Sequence, residues 1–351
     1  MTAKVAIIGG TGYGGAELIR RLLVHPGAEL VRVTAADNIG KRLGDVHFNL
    51  EGCSELRYEQ MPVEEAVAGV DVAFLALPHK ISAHEAPRIL ERAPGIRLID
   101  LSGDFRLRDL AAYETFYAKH PHPEYLGRFA YGLPELFREQ ILASRWIASP
   151  GCFATATILA LAAAAKAGWL SGNVRVVGCT GSSGSGANPS LGTHHPLRSQ
   201  NLKSYKVLNH QHVPEIVQAL QDVAAHSSAF ALDFVPISAP LARGILITAF
   251  LDVDAALTRD AVLEGYRRAF AGEPFVRVLD SRLPEVIGVA GTNYVEVGFE
   301  LGAERGGRRP LVCMSALDNL VKGGAGQAIQ SFNLIQGFEE STTLSDPGLW
   351  P

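Results

Sequence analysis

The first part of the chain alternates short apolar runs with amphipathic ones. Lys4–Ile8 is apolar, Gly9–Gly15 is glycine-rich, and Ala16–Val24 places Leu18, Leu22 and Leu23 at helical spacing, which predicts strand, turn and helix. Further apolar runs at Leu30–Ala35, Val70–Leu77 and Ile96–Leu101 predict strands, with a helix over Ser82–Ala93 between the last two. Strands separated by helices read as βαβ units around a parallel sheet. After about residue 150 the texture changes. One Ala-rich helix is predicted over Cys152–Ala167, then strands at Val174–Thr180, Leu232–Ile237, Gly244–Leu251, Asn293–Phe299 and Leu311–Leu317, and a last helix at Ala325–Gly337. A run of strands after a βαβ region predicts a second, α+β domain with a mixed, largely antiparallel sheet.

Composition agrees with two folded domains. The 351 residues are 47% hydrophobic and 19% charged, which excludes global disorder. The net charge of −4, without a basic run, gives no footprint for nucleic acid or an anionic membrane, so a small-molecule partner is expected. Cys53, Cys152, Cys179 and Cys313 are far apart and have no histidines at metal-ligand spacing. That argues against a disulfide framework or a structural zinc, and no metal is expected. The N-terminus reads as lacking a signal peptide, and the apolar stretch Phe153–Ala165 is too short to cross a bilayer, so a soluble cytoplasmic protein is expected.

Gly9–Gly15 fits G-x-G-x-x-G through Gly10, Gly12 and Gly15. It sits between the first strand and the first helix, where backbone N–H groups and the helix dipole attract a dinucleotide's pyrophosphate. Asp37 lies 22 residues beyond Gly15, where an acidic residue would take the ribose hydroxyls of NAD. The neighbouring Lys41 and Arg42 suit a 2′-phosphate instead, and spacing alone leaves NAD and NADP open. The predicted fold is therefore an α/β Rossmann-type nucleotide-binding domain from residue 1 to about 149, followed by the α+β domain, with the last helix able to pack on either.

Cys152 opens the Ala-rich helix, where the positive end of the dipole favours thiolate and makes the sulfur a nucleophile near neutral pH. A proton carrier is expected nearby, and His210-Gln211-His212 is the densest source. If that segment is extended, its two histidines face opposite sides and only one reaches the sulfur. His194-His195 is a second pair, beside a Gly/Ser-rich loop.

Together these residues resemble the N-acetyl-γ-glutamyl-phosphate reductase family of arginine biosynthesis, relatives of aspartate-semialdehyde dehydrogenase. The resemblance runs through Gly9–Gly15, Ala76-Leu77-Pro78-His79, Asp100–Arg106, Tyr131-Gly132-Leu133-Pro134-Glu135, Pro150-Gly151-Cys152, Tyr205 with His210–Ile216, and Asp318-Asn319-Leu320 with Lys322-Gly323 and Gly326-Gln327-Ala328. It implies that Cys152 attacks an acyl phosphate, phosphate leaves, and NADPH reduces the thioester to a semialdehyde, with His212 or His210 moving protons. It also implies that Gly9, Thr11, Gly12, Tyr13 and Gly14 hold the cofactor's phosphates, that Pro78, Ser102, Gly184 and Asn319 line its nicotinamide side, and that Arg106 and Tyr205 serve the substrate. It further implies that residues 1–149 and 319–351 form the Rossmann-type domain and residues 150–318 an α+β catalytic and dimerisation domain, and a homo-oligomer, dimer or tetramer, is expected. Where the family has His-Arg-His this chain has His210-Gln211-His212, and the lost cation shifts the expected anion site toward Arg198 or Lys203. The same chemistry on a carrier-protein-linked aminoadipyl phosphate of lysine biosynthesis is the alternative, brought in by His194-His195-Pro196. A non-catalytic dinucleotide sensor is the alternative from another class.

Overall fold

Seven parallel strands carry the first part of the chain in a computed structural model that describes residues 2–225 and 229–350. In chain order they and their helices are β1 (Ala3–Ile8), α1 (Tyr13–Leu22), β2 (Ala28–Thr34), α2 (Leu43–Val46), β3 (Tyr58–Glu59), α3 (Val63–Ala66), β4 (Val72–Leu75), α4 (Ser82–Arg92), β5 (Arg97–Asp100), α5 (Leu110–Phe116), β6 (Ala130–Tyr131), α6 (Pro134–Ala143) and β7 (Trp146–Ala148). The sheet order is β3-β2-β1-β4-β5-β7-β6, and every pairing is parallel. The strand order reverses direction at β1, so the loop after β1 stands at the topological switch point, where ligands of open α/β sheets bind. Five of the six β1 residues are buried, the near-continuous apolar run expected of a strand inside a parallel sheet.

The second part contains α7 (Cys152–Lys166), β8 (Gly172–Thr180), α8 (His195–Arg198), β9 (Lys203–Ser204), α9 (His212–Val223), β10 (Phe230–Ser238), β11 (Ile245–Asp254), α10 (Arg259–Ala269), β12 (Val276–Val278), β13 (Val295–Leu301) and β14 (Arg308–Leu317), before a final helix, α11 (Gly326–Gln336). Its sheet runs β12-β13-β14-β11-β8-β10-β9. The β10–β8 and β12–β13 pairs are parallel and the rest antiparallel, as the sequence pattern predicts for a mixed sheet. Buried and more exposed positions alternate along β11, which marks one covered face. On that face lies α7, buried at every position from Phe153 to Ala165, as befits a helix apolar on all sides. Its carbonyls are engaged from outside the helix: the Tyr266 hydroxyl donates to the Ala160 carbonyl and the Ser315 hydroxyl to the Ala156 carbonyl, each at 2.7 Å.

The chain divides into two compact units, residues 1–151 with 324–345, and residues 152–323 with 346–351. Residues 319–323 and 346–351 thus group with the second unit. Within the first unit α11 packs on α6 and α1, and the Gln330 amide donates to the Glu135 carboxylate at 3.0 Å.

Candidate active site

The first unit places the glycine loop directly after β1. Gly9 has φ +94°, and a Cβ there would stand 2.6 Å from the Ala76 carbonyl oxygen, so only glycine fits this turn. Gly12 caps α1 without a side-chain hydrogen bond, the first turn of α1 contains no acidic residue, and a Cβ on Gly12 would meet nothing within 4 Å. Bare backbone at a helix N-terminus, open above Gly12 and without an acidic residue in the helix's own first turn, fits the phosphates of a dinucleotide. Thr11 donates its hydroxyl to the Asp37 carboxylate at 2.6 Å, which ties the loop to the segment after β2. There the Lys41 ammonium donates to the Asn38 side-chain oxygen at 2.9 Å, and Arg42 pairs with Asp45 at 3.3 Å.

Pro78 and Ser102 follow the C-terminal ends of β4 and β5, the edge that also carries the glycine loop. The Ser102 hydroxyl is committed inside the fold. It donates to the Asp100 carboxylate at 2.7 Å and accepts the Asp104 N–H at 3.1 Å. Burial pushes the Asp100 carboxyl up to about 6, against the pull of the Ser102 hydrogen bonds. Arg106 is buried and donates to two carbonyls, from Nε to Ser149 at 2.7 Å and from Nη2 to Leu101 at 2.8 Å. Two of its five N–H groups therefore fasten the chain ahead of Cys152 to the loop after β5.

The second unit assembles the nucleophile's surroundings. Cys152 is the first residue of α7 and is partly exposed. Burial raises the thiols of Cys179 and Cys313, the latter to about 12, which leaves both protonated. Phe153, next in the helix, meets both histidine rings edge-on, with centroids 5.6 Å from His210 and 6.4 Å from His212. The two histidine rings are themselves 4.8 Å apart, and Tyr205 lies 6.1 Å from His210. The segment is not extended, so the condition under which its histidines would face opposite sides does not arise: His212 begins α9 and the backbone turns there.

The two histidines differ in state. His210 accepts the His212 backbone N–H on Nδ1 at 3.2 Å, which puts the proton of its neutral ring on Nε2. Burial, helped by the Lys206 cation, pushes His210 down to about 4, so it is neutral near pH 7. Burial raises Tyr205 to about 12, and the negative charge of Cys152 adds to the rise while Arg198 opposes it. Lys206 and Leu208 have φ of 44° and 58°, a left-handed conformation uncommon for such residues, in the short segment that joins Tyr205 to His210. Gly184 and Asn319 are also neighbours: a Cβ on Gly184 would lie 3.8 Å from the Asn319 amide nitrogen. That amide is fixed by donating to Ser183 at 3.0 Å and accepting the Gly244 N–H at 2.7 Å.

Two neighbours of the site were not singled out by the sequence pattern. Phe153 is signalled only by its place beside Cys152. Gly323 is signalled only as part of Lys322-Gly323 in the resemblance, with no role given to it, yet a Cβ there would stand 2.8 Å from the Cys152 Cβ. Among the described residues no three His, Cys, Asp or Glu side chains group to hold a metal ion, and no helix is long and apolar enough to cross a membrane.

Comparison with known proteins matches this geometry to a family. Residues 4–144 match the family described as semialdehyde dehydrogenase, NAD binding domain, and residues 152–319 match semialdehyde dehydrogenase, dimerisation domain. The chain is 44% identical to the putative [LysW]-L-2-aminoadipate 6-phosphate reductase of Thermomicrobium roseum and 42% identical to the N-acetyl-gamma-glutamyl-phosphate reductase of Pelotomaculum thermopropionicum, each over 100% of both chains. The crystal structure of aspartate semialdehyde dehydrogenase II from Vibrio cholerae shares the fold, with a TM-score of 0.72 at 18% identity, covering 96% of this chain and 99% of that one. With both halves of the chain matched in order and full-length relatives above 40% identity, the protein belongs to the semialdehyde dehydrogenase family.

Proposed function

We propose that this protein reduces N-acetyl-γ-glutamyl phosphate to N-acetylglutamate semialdehyde and inorganic phosphate, with the first unit binding the nicotinamide dinucleotide and the second performing the chemistry. The observation that carries this reading is the gathering of Tyr205, His210 and His212 around the helix start that bears Cys152. The full-length relative from Pelotomaculum supplies the substrate.

In this scheme the Cys152 thiolate attacks the acyl carbon, the C–O bond to phosphate breaks, and phosphate departs from a thioester. A nicotinamide dinucleotide, when bound, supplies the hydride that reduces the thioester carbon. His212 gives a proton to the carbonyl oxygen as it becomes the hydroxyl of a thiohemiacetal. It takes that proton back as the C–S bond breaks, releasing semialdehyde and restoring the thiolate. The assignment to His212 is supported by the state of His210, whose Nδ1 is occupied and whose ring is held neutral by burial. Gly9, Thr11, Gly12, Tyr13 and Gly14 would hold the cofactor's phosphates. Pro78 and the Ser102 backbone would serve its nicotinamide end. Tyr205 would serve the substrate, and Arg106 would act by fastening the chain before Cys152.

NADP is the proposed cofactor. Asp37 is engaged by Thr11, and Lys41, whose ammonium donates to the neutral Asn38 oxygen, would be a cation available to a 2′-phosphate. A homo-oligomer, dimer or tetramer, formed through the second unit and working in the cytoplasm, completes the reading. The relative from Thermomicrobium favours a second substrate, a carrier-linked aminoadipyl phosphate. Purified enzyme assayed in reverse with N-acetylglutamate semialdehyde, NADP and phosphate decides: turnover supports the first substrate. No turnover there, with turnover of the carrier-linked semialdehyde, transfers the assignment to the second.

A further inference from the structure

One cation near the Cys152 group has no use in the chemistry above. Arg198 ends α8, in the connection between β8 and β9. Its Nη2 donates to the Thr180 carbonyl at the end of β8, 3.1 Å away, while its Nε is buried and has no acceptor among the described residues. No carboxylate of those residues pairs with it. A guanidinium stays charged at any working pH, so a half-buried one without a counter-ion is costly to the fold on its own. Thr180 is paired with Ser238 and Ser238 with Lys203, and the Tyr205 N–H donates to the Pro236 carbonyl at 3.1 Å, so Arg198 lies beside the short segment that carries Tyr205, whose ring meets that of His210. The next cation along the chain, Lys206, is already held by the Gln211 side-chain oxygen at 2.9 Å. Lys203 is exposed on β9.

We propose that Arg198 is a specificity-determining residue that receives an oxyanion of the substrate, its buried Nε–H supplying the donor that the described residues leave without an acceptor. The inference rests on the acyl-phosphate reading of the same group of residues. Such a substrate offers two oxyanions of the required chemistry, the phosphate it loses and the carboxylate of its amino-acid end, and the test separates them.

The experiment is steady-state kinetics in the aldehyde-oxidising direction for the wild type, Arg198→Lys and Arg198→Met, with inorganic phosphate and the semialdehyde varied in turn. Loss of a charge-assisted hydrogen bond predicts a rise in one KM of roughly 10- to 100-fold in Arg198→Met, with kcat within a few-fold and partial recovery in Arg198→Lys. A rise in the KM for phosphate assigns the phosphate, and a rise in the KM for semialdehyde assigns the carboxylate. Both KM values within twofold of wild type, or a fall in kcat alone, overturns the proposal. A second measurement needs no turnover. Protection of Cys152 from iodoacetamide by inorganic phosphate or by N-acetylglutamate is expected in the wild type and lost in the Arg198 variants, whose folding is checked by thermal melting. Protection that is unchanged in the variants also overturns it. Failure of the underlying reading is distinct: the wild-type enzyme then turns over neither semialdehyde, and the protection assay alone decides the role of Arg198.

Discussion

Gly323→Ala tests whether the nucleophile's position is set by packing behind it. The Gly323 N–H donates to the Asp318 carbonyl at 2.8 Å, which holds the glycine against the start of α7. An added methyl carbon would stand 2.8 Å from the Cys152 Cβ, 3.1 Å from the Leu317 Cδ1 and 3.2 Å from the Cys152 Cα. Carbon atoms in ordinary contact keep about 3.5 Å or more, so the shortest of these falls short by roughly 0.7 Å. No flexible side-chain tip is there to yield: Leu317 is buried in β14, and the other two atoms belong to the first residue of a buried helix. Overpacking of this kind costs about 1–3 kcal/mol, and a displacement of the reacting atom approaching 1 Å costs on the order of 100-fold in rate. The expected outcome is a protein that folds with a lowered Tm, binds the dinucleotide normally, and has kcat reduced by roughly 30- to 100-fold. Thermal melting, cofactor titration and kcat on the same preparation provide the readout. A lowered Tm with undiminished kcat per folded molecule would show that the contact is packing alone and refute the reasoning.

Four further outcomes follow from the same geometry. Cys152→Ser is expected to abolish turnover while dinucleotide binding, read by fluorescence titration, is retained; activity in that variant removes the sulfur from the scheme. His212→Asn is expected to lower kcat by roughly 100-fold or more and to remove the limb of the pH–rate profile that reports the proton carrier, whereas His210→Asn keeps that limb. Equal loss of the limb in both variants contradicts the assignment. His210 also makes stability depend on pH. Its folded value, about 4, lies below the 6.5 of an unperturbed ring, so the unfolded chain binds more protons between those values. Its contribution is complete above pH 6.5 and is lost as the pH falls toward 4, by roughly 3 kcal/mol in all. Urea unfolding at several pH values should find a shallower dependence in His210→Asn over that window, and an identical slope rules out the ring as its source. Finally, Lys41→Ala is expected to raise the KM for NADPH about tenfold and to leave that for NADH nearly unchanged; a parallel change in both places the 2′-phosphate elsewhere.

Legibility in the sequence followed the range of the interaction. The α10 helix shows the middle case. Its start is signalled by Thr258, whose side chain accepts the Ala261 N–H, with Asp260 in the first turn, but its apolar positions are too few to stand out against the flanking loops. The apolar run at Val70–Leu77 predicted a longer strand than the four residues Val72–Leu75. Ladder bonds nonetheless reach one residue past each end, from the Asp71 N–H to the Lys4 carbonyl at 2.9 Å and from the Ala76 N–H to the Ile8 carbonyl at 2.8 Å, and Pro78, which has no N–H, cannot extend them. In the opposite sense β11 runs on to Asp254, because Arg308 and the β14 residues after it pair with it along its full length.

By itself the sequence determined whatever depends on near neighbours in the chain: a parallel and then a mixed sheet, glycines bared at the first helix, a cysteine at the head of an apolar helix, and a histidine pair ahead of α9. Periodicity and terminal backbone groups act over one or two turns, so a linear pattern can record them. Only the tertiary structure decided which of those groups meet. It drew Tyr205, His210 and His212 to the start of α7, held His210 neutral by burial, set Gly323 behind Cys152, and buried the Arg198 Nε with no acceptor among the described residues. Desolvation and close contact depend on atoms brought together from distant parts of the chain, and spacing along a sequence does not encode them.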